Sequence, residues 1–412
     1  MDRSPPSSRA DTPRSPSSLR LPALLLVAVA VPWVAACAGL RGPGPADVPE
    51  PDAAPETRPE PETPARWYWA YVANRESDVV SRIRFGPEGA AYEKSVDVGV
   101  MPNATDAPLG VAVAPDGRHW YVTTSPGTRV GRLFKYRTGS DRQVASVTLG
   151  STPGAVDLTP DGAEAWVADP GTDDEPGSAA LAVVRTDSLR EVARLGACDA
   201  PRGSRVARSG DRVYVACPDE DLLMEIDADG RRVRRALRLG PAGAEVVPGD
   251  RLAAGGGSFP GRGGEPTCEP AALETGDGRL WIACARAGEV VEVDAGSLRV
   301  RRRLAVGEGP TALALTPEGS LLVAANRGGG TVSVLHLDAG RELTRIETSR
   351  PSPRAVAVSD DSRYAFVTND AEGARRSTVD VIDLTALVRV AEVELEYGAG
   401  GIAFWRSSPT GR

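Results

Sequence analysis

Among the side chains that could do chemistry in this chain, the cysteines are the most telling. Four of the five, Cys198, Cys217, Cys268 and Cys284, fall as two successive pairs, and the fifth, Cys37, stands directly behind an apolar run. Thiols so arranged either close disulfides or gather a soft metal. The two histidines, His119 and His336, are too far apart to share a metal by local spacing, and neither is placed as a base beside a serine or cysteine. No C-x-x-C-H run offers haem attachment. The glycine-rich run at 255–264 is followed by no helix that could present its N-terminus to a phosphate.

A second candidate is a polar column. Seven short runs resemble one another: YVAN at 71–74, YVTT at 121–124, WVAD at 166–169, YVAC at 214–217, WIAC at 281–284, VAAN at 323–326 and FVTN at 366–369. Their last residues are Asn74, Thr124, Asp169, Cys217, Cys284, Asn326 and Asn369. Amide and carboxylate oxygens in a ring could hold a small polar ligand or a hard cation, Ca or Mg. The same residue types also cap strand ends by bonding local backbone. An acidic triplet, Asp173, Asp174 and Glu175, follows the third run and offers a cation or a basic partner a landing point; a solvated loop is the plain alternative.

These residues need elements to position them. The runs recur at roughly 42–50 residues, with one gap of about 67, which is the length of a four-stranded propeller blade. Each unit reads as strand A, a tight turn, strand B, a loop, strand C, a turn and strand D. Blade 2 is the clearest, with A at 109–114, B at 119–124, C at 131–137 and D at 144–150. Asp-Gly pairs at 116–117, 161–162 and 277–278 mark the A–B hairpins, and Glu318-Gly319 and Asp361-Ser362 are weaker versions. The first unit lacks a strand A, whereas residues 400–405 form one with nothing after it. The two ends complete each other, predicting an all-β, seven-bladed β-propeller closed by its terminal strand.

In an antiparallel A–B hairpin the start of A lies beside the end of B. Cys198 with Cys217 and Cys268 with Cys284 are therefore natural bridges within a blade, with cross-blade pairing, free thiols or a soft-metal site as alternatives. The long gap locates an insertion at about 241–267, expected to overhang the face bearing the B–C and D–A loops; a small decorative hairpin is the other reading. Arg231, Arg232, Arg234, Arg235 and Arg301 to Arg303 read as solvated outer-strand faces.

The YVTN-like runs, the PDG turn and the blade end STVDVIDL at 377–384 resemble the YVTN-repeat, cytochrome-d1-like seven-bladed propellers. The resemblance covers residues 67–406. It implies the fold and leaves activity open, since that family includes binding proteins, surface-layer components, lactonase-like relatives and haem-bearing enzymes.

Ahead of the propeller, four arginines precede an apolar run at 21–36, and Val34-Ala35-Ala36-Cys37 resembles the bacterial lipobox. The expected organisation is a lipoprotein signal peptide over 1–36 and a lipidated Cys37 heading a disordered Pro/Glu-rich tether over 37–66. The propeller follows over 67–406, with a tail over 407–412. A plain secretory signal or an uncleaved anchor would be the alternative. Fully extended, the tether reaches about 90 Å.

The net charge of −8 excludes nucleic acid as a default partner. The expected protein is a module of the bacterial cell envelope, lipid-anchored and extracytoplasmic, at the outer membrane or periplasmic face. It binds a protein partner or small ligand on its loop face and has no catalytic residues, bound metal or cofactor assigned. A lactonase- or hydrolase-like propeller using a metal, or Asp169 and Asp173, is the competing expectation, and a structural envelope component a third. Strand A segments such as GVAVA, TALAL and RAVAV, poor in functional groups, weigh against the enzyme.

Overall fold

The computed structural model describes residues 59–99, 105–126, 130–172, 178–196, 198–240, 243–250, 267–371 and 375–409. Cys37 and the signal segment, the acidic triplet Asp173, Asp174 and Glu175, the tether before residue 59 and residues 251–266 of the insertion lie outside the described residues. Among the described residues no helix is long and apolar enough to cross a membrane.

Seven antiparallel sheets form the molecule, and their innermost strands touch one another in a closed cycle. In blade 2 the strands, from the axis outward, are Pro108–Val113, His119–Thr124, Arg132–Arg137 and Arg142–Thr148. Strands B and C read as almost unbroken apolar runs because blades pack on both of their faces; Trp166, Val167 and Ala168, consecutive in one strand, are all fully buried. Strand D, at the rim, alternates: in Arg190–Gly196 every second side chain is exposed. At the A–B turn of blade 5, Asp277 and Gly278 both take positive φ, 50° and 72°, the conformation a two-residue hairpin requires.

The ring closes between its two ends. Strand Ala399–Ser408 pairs with Trp67–Asn74, from Trp67 opposite Ser408 to Asn74 opposite Ala399, so the strand runs two residues beyond 406. Most large aromatic rings gather at this seam. Tyr68, Phe85, Tyr364 and Phe366 fill the interface of blades 7 and 1. Tyr71, Trp120, Phe134 and Tyr136 fill that of blades 1 and 2, with Trp120 and Tyr136 stacked at 4.2 Å. The clusters between blades 3 and 4 and between 4 and 5 are mostly aliphatic, and they include all four propeller cysteines. Cys198 bonds Cys217 and Cys268 bonds Cys284, each tying the loop before strand A to the end of strand B.

A recurring lock links neighbouring blades. A cation on strand C or D of one blade reaches the C–D turn carbonyls of the next: Arg82 to Gly139 at 2.8 Å, Lys135 to Thr186 at 2.8 Å, Arg235 to Gly296 at 2.8 Å, and Arg302 to Leu337. Arg235 and Arg302, together with Arg231 on Glu164, therefore leave the solvated role expected of their clusters. Arg232, 76% exposed, keeps it. The difference arises because a blade's outer strands lie within reach of the next blade's turn. A hydrogen bond to a charged group contributes on the order of 1.5–3 kcal/mol.

Blade 4 departs from the pattern by a fifth strand. Gly243–Pro248 pairs with strand D, Arg232–Gly240, from Gly240 opposite Gly243 to Arg235 opposite Pro248. The insertion therefore begins by turning back along the outer edge of blade 4; the other arm of the expected hairpin lies outside the described residues. The unpaired backbone edge of strand D attracts the 243–248 arm there.

Candidate functional site

The polar column is present but lies inside the blades. Asn74, Asn326 and Asn369 are fully buried, and Thr124 and Asp169 are 1% exposed. Asn74 donates to Ser81 Oγ at 2.7 Å and Asn326 to Ser333 Oγ at 2.8 Å, while Asn369 reaches Thr378 Oγ1 at 3.3 Å. Asp169 accepts from Thr152 N, Thr152 Oγ1 and Gly171 N, each at 3.1 Å, and faces Arg194 at 3.4 Å. The reason is positional. Strand B is second from the axis, so strand A stands between its end and the lumen. Asn and Asp here cap the strand and its loop.

Strand A lines the channel. Its cavity, about 180 Å³, is walled by small residues such as Gly110, Ala155, Ala271 and Ala312, together with Arg202, Ser204, Arg205 and Thr311. The blades approach closely here. A Cβ on Gly110 would lie 2.3 Å from the Gly154 carbonyl oxygen, which Thr123 Oγ1 already contacts at 2.6 Å.

Two charged groups in and above the channel were missed from sequence. Within it, Arg205 of blade 4 pairs with Glu274 of blade 5 at 3.0 Å, and Asp157 of blade 3 accepts the Val206 N–H at 2.7 Å. Burial pushes both carboxyls up, against the pull of Arg205, and Glu274 pushes the Arg205 guanidinium up. These groups knit three blades. Their signal was a charge in each of three short, otherwise small or apolar strands. The second group is a set of arginines on the loop face. Arg75 and Arg327 each follow an Ala-Asn pair at the end of strand B, and Arg354 belongs to strand A of blade 7, Ser352–Val358. Arg327 Nε donates to Ser352 Oγ at 3.1 Å, and Arg354 pairs with Asp370 at 2.8 Å.

The cysteines hold no metal, because their sulfurs are bonded to each other. Glu220 nonetheless lies beside the Cys198–Cys217 bridge, its Oε1 accepting the Asp199 N–H at 2.8 Å. The histidines remain separate: His119 opens strand B of blade 2, and His336 closes strand C of blade 6, where its Nδ1 accepts the Ala339 N–H at 3.2 Å. Burial and Lys135 push His119 below the usual histidine range.

The last tether residues lie on the opposite, turn-bearing face. Glu62 pairs with Arg363 at 3.1 Å, and Pro59, Glu60 and Glu62 border a cavity of about 370 Å³ with Asp361 and Asp383, at the A–B and C–D turns of blade 7.

No family model matches this sequence, and no curated protein matches it. Solved structures do. The periplasmic gluconolactonase PpgL of Pseudomonas aeruginosa superposes with a TM-score of 0.61 at 20% identity, over 82% of this chain and 99% of that one. A functionally unknown protein from Desulfotomaculum acetoxidans gives 0.60 at 13% identity, over 82% and 99%. The dihydro-heme d1 dehydrogenase NirN gives 0.54 at 17% identity, over 86% and 78%. At these identities the likeness is one of fold, and it agrees with the sheet order: this chain is a seven-bladed β-propeller.

Proposed function

We propose that this protein is a binding module of the bacterial cell envelope, anchored by lipid on Cys37, that engages a protein or small ligand through its loop face without chemistry of its own. The observation that carries this reading is the opposition of the two faces. The tether meets the propeller on the turn face, through Glu62 and Arg363. The loop face lies at the opposite ends of the strands. That face also carries both disulfides, a departure from the repeat.

Asp169, one of the two carboxylates on which the lactonase or hydrolase reading leans, is 1% exposed and already held by Thr152 and Gly171; the other, Asp173, lies outside the described residues. That burial disfavours Asp169 as a metal ligand or base.

The test is site-specific photocrosslinking of the full-length protein in its native envelope, with the probe at Glu308 on the loop face or at Asp187 on the turn face. One identified partner captured from Glu308 and not from Asp187 supports the reading; capture from Asp187 alone overturns it. A Cys37→Ser variant is expected to leave the membrane fraction, and its retention there would remove the lipid anchor. Lactone hydrolysis by the purified protein, lost in Asp169→Asn, would favour the enzyme.

A further inference from the structure

We infer that the channel mouth on the loop face binds a small oxyanion, a carboxylate- or phosphate-bearing molecule, between Arg75, Arg327 and Arg354. This deepens the loop-face reading above and rests on it.

The three guanidiniums come from adjoining blades. Arg75 follows the pair of Asn74 with Ala399 and is fixed by its N–H bond to Gly398 O at 2.8 Å. Arg327 holds the corresponding place in blade 6 and bonds Ser352, two residues before Arg354. Beside Arg354, the Ala355 N–H bonds Thr368 Oγ1 at 3.0 Å, and that hydroxyl donates to Gly400 O of blade 1 at 2.9 Å. The inner edges of blades 7 and 1 are thus stapled next to the cluster.

Two carboxylates face the three guanidiniums, so positive charge is in excess. Asp370 is taken by Arg354, and its other oxygen accepts Ala371 N and Ser377 Oγ. Glu76 lies 3.6 Å from Arg75, and both side chains are exposed, an arrangement that contributes little. Arg327 pairs with no carboxylate among the described residues. Burial, then the charges of Arg327 and Arg75, push Arg354 below the usual arginine value despite Asp370. An anion entering this space relieves that repulsion.

Ala355, next to Arg354, lines the channel cavity together with Arg202, exposed in blade 4, and Thr311, whose buried Oγ1 has no hydrogen-bond partner among the described residues. Planar guanidinium forks match carboxylate and phosphate oxygens bidentately. The glycine and alanine walls leave room for a compact molecule.

Calorimetric titration of the full-length protein with citrate, with inorganic phosphate and with neutral glucose tests the site. Citrate or phosphate is expected to bind, more weakly as salt rises, and glucose not to. Arg327→Gln should weaken binding roughly tenfold or more, the scale of one charge-assisted hydrogen bond. Arg232→Gln, on the outer edge of blade 4, should leave it unchanged. The relative affinities of citrate and phosphate identify the preferred oxyanion. The site is overturned if neither anion binds at millimolar concentration, or if Arg327→Gln and Arg75→Gln both bind as the parent does. Capture from Glu308 that survives such a failure leaves the loop-face reading standing. Anion binding with capture from Asp187 alone would overturn the loop face as the protein-binding side and keep the oxyanion site.

Discussion

Asp141 of blade 2 lies 2.7 Å from the Arg82 guanidinium of blade 1, and the carboxylate is fully buried. The same group receives the Tyr71 hydroxyl at 2.7 Å, the Trp120 indole N–H at 3.2 Å and Lys94 at 3.1 Å. One carboxylate therefore joins three strands of blade 1 to strand B of its own blade, and it raises the Tyr71 phenol, which burial has already pushed up.

Removing that charge takes from Arg82 one of its two carboxylates, leaving Glu93 at 2.7 Å, and takes from Lys94 and Tyr71 the charge they bond. Asp141→Asn is expected to lower unfolding free energy by about 3 kcal/mol, as for other broken buried pairs. Urea denaturation measures it. A loss below about 1 kcal/mol would mean that stacking of Tyr71, Trp120 and Tyr136 holds this seam without the ion pair.

The disulfides occupy the sector where interface aromatics are sparse. Each closes a loop of under twenty residues, for which chain entropy predicts about 3 kcal/mol. The double variant Cys268→Ser, Cys284→Ser should lose roughly that amount, and reduction of the parent about twice as much, since separate bridges add. Urea melts with and without dithiothreitol check this. A parent insensitive to reduction while folded and while unfolded would contradict it.

Physical constraint decided what could be read in advance. Strands B were legible because burial on both faces forces unbroken apolar runs, and closure was legible because one end lacked the strand that the other carried spare. The cysteine pairing followed from equivalent positions in successive units. The fifth strand of blade 4 was not legible: backbone hydrogen bonds at an open edge recruit it, and no side-chain pattern announces that. Asn74 to Asn369 form a column in sequence register, yet that register does not say that strand A lies between them and the lumen. Arg75 and Arg354 are distant in sequence and meet only after the ring closes. The repeated Ala-Asn-Arg at 73–75 and 325–327 was the one local hint.

Glu220 gives a pH signature. Its Oε2 is buried without a partner among the described residues, and burial pushes its carboxyl above the usual value near 4.5, partly offset by the Asp199 N–H. A carboxyl raised on folding binds its proton more tightly in the native state. Its contribution is complete below the unfolded value and is lost as pH rises through the folded one. The melting temperature of Glu220→Gln relative to the parent should therefore climb as pH rises above the unfolded value of about 4.5. Parallel curves would remove Glu220 as the source.

Gly110 and Gly154 make a matched pair of substitutions at the axis. A Cβ on Gly110 meets backbone oxygen at 2.3 Å, whereas on Gly154 the nearest atom is 3.7 Å away, an ordinary contact. Gly110→Ala should destabilise by about 1–3 kcal/mol through forced separation of blades 2 and 3. Gly154→Ala should be close to neutral. Equal effects in thermal melts would show that the channel wall yields.

The closing strand can be tested by removing it. Beyond its pairing with Trp67–Asn74, it places Trp405 Nε1 on the Gly117 carbonyl at 3.0 Å and the Arg406 guanidinium over Trp69 and Trp405 at 4.6 and 4.4 Å. A chain ending at Gly398 leaves one whole edge of Trp67–Asn74 unpaired, and such an edge recruits a strand from another molecule. Size-exclusion chromatography with light scattering should find the truncated protein as oligomers or aggregates. A peptide of residues 399–409 added during refolding should restore the size of the parent by taking the vacant place. A truncated protein that stays monomeric, and melts as the parent does without the peptide, would show that the aromatic seams close the ring unaided.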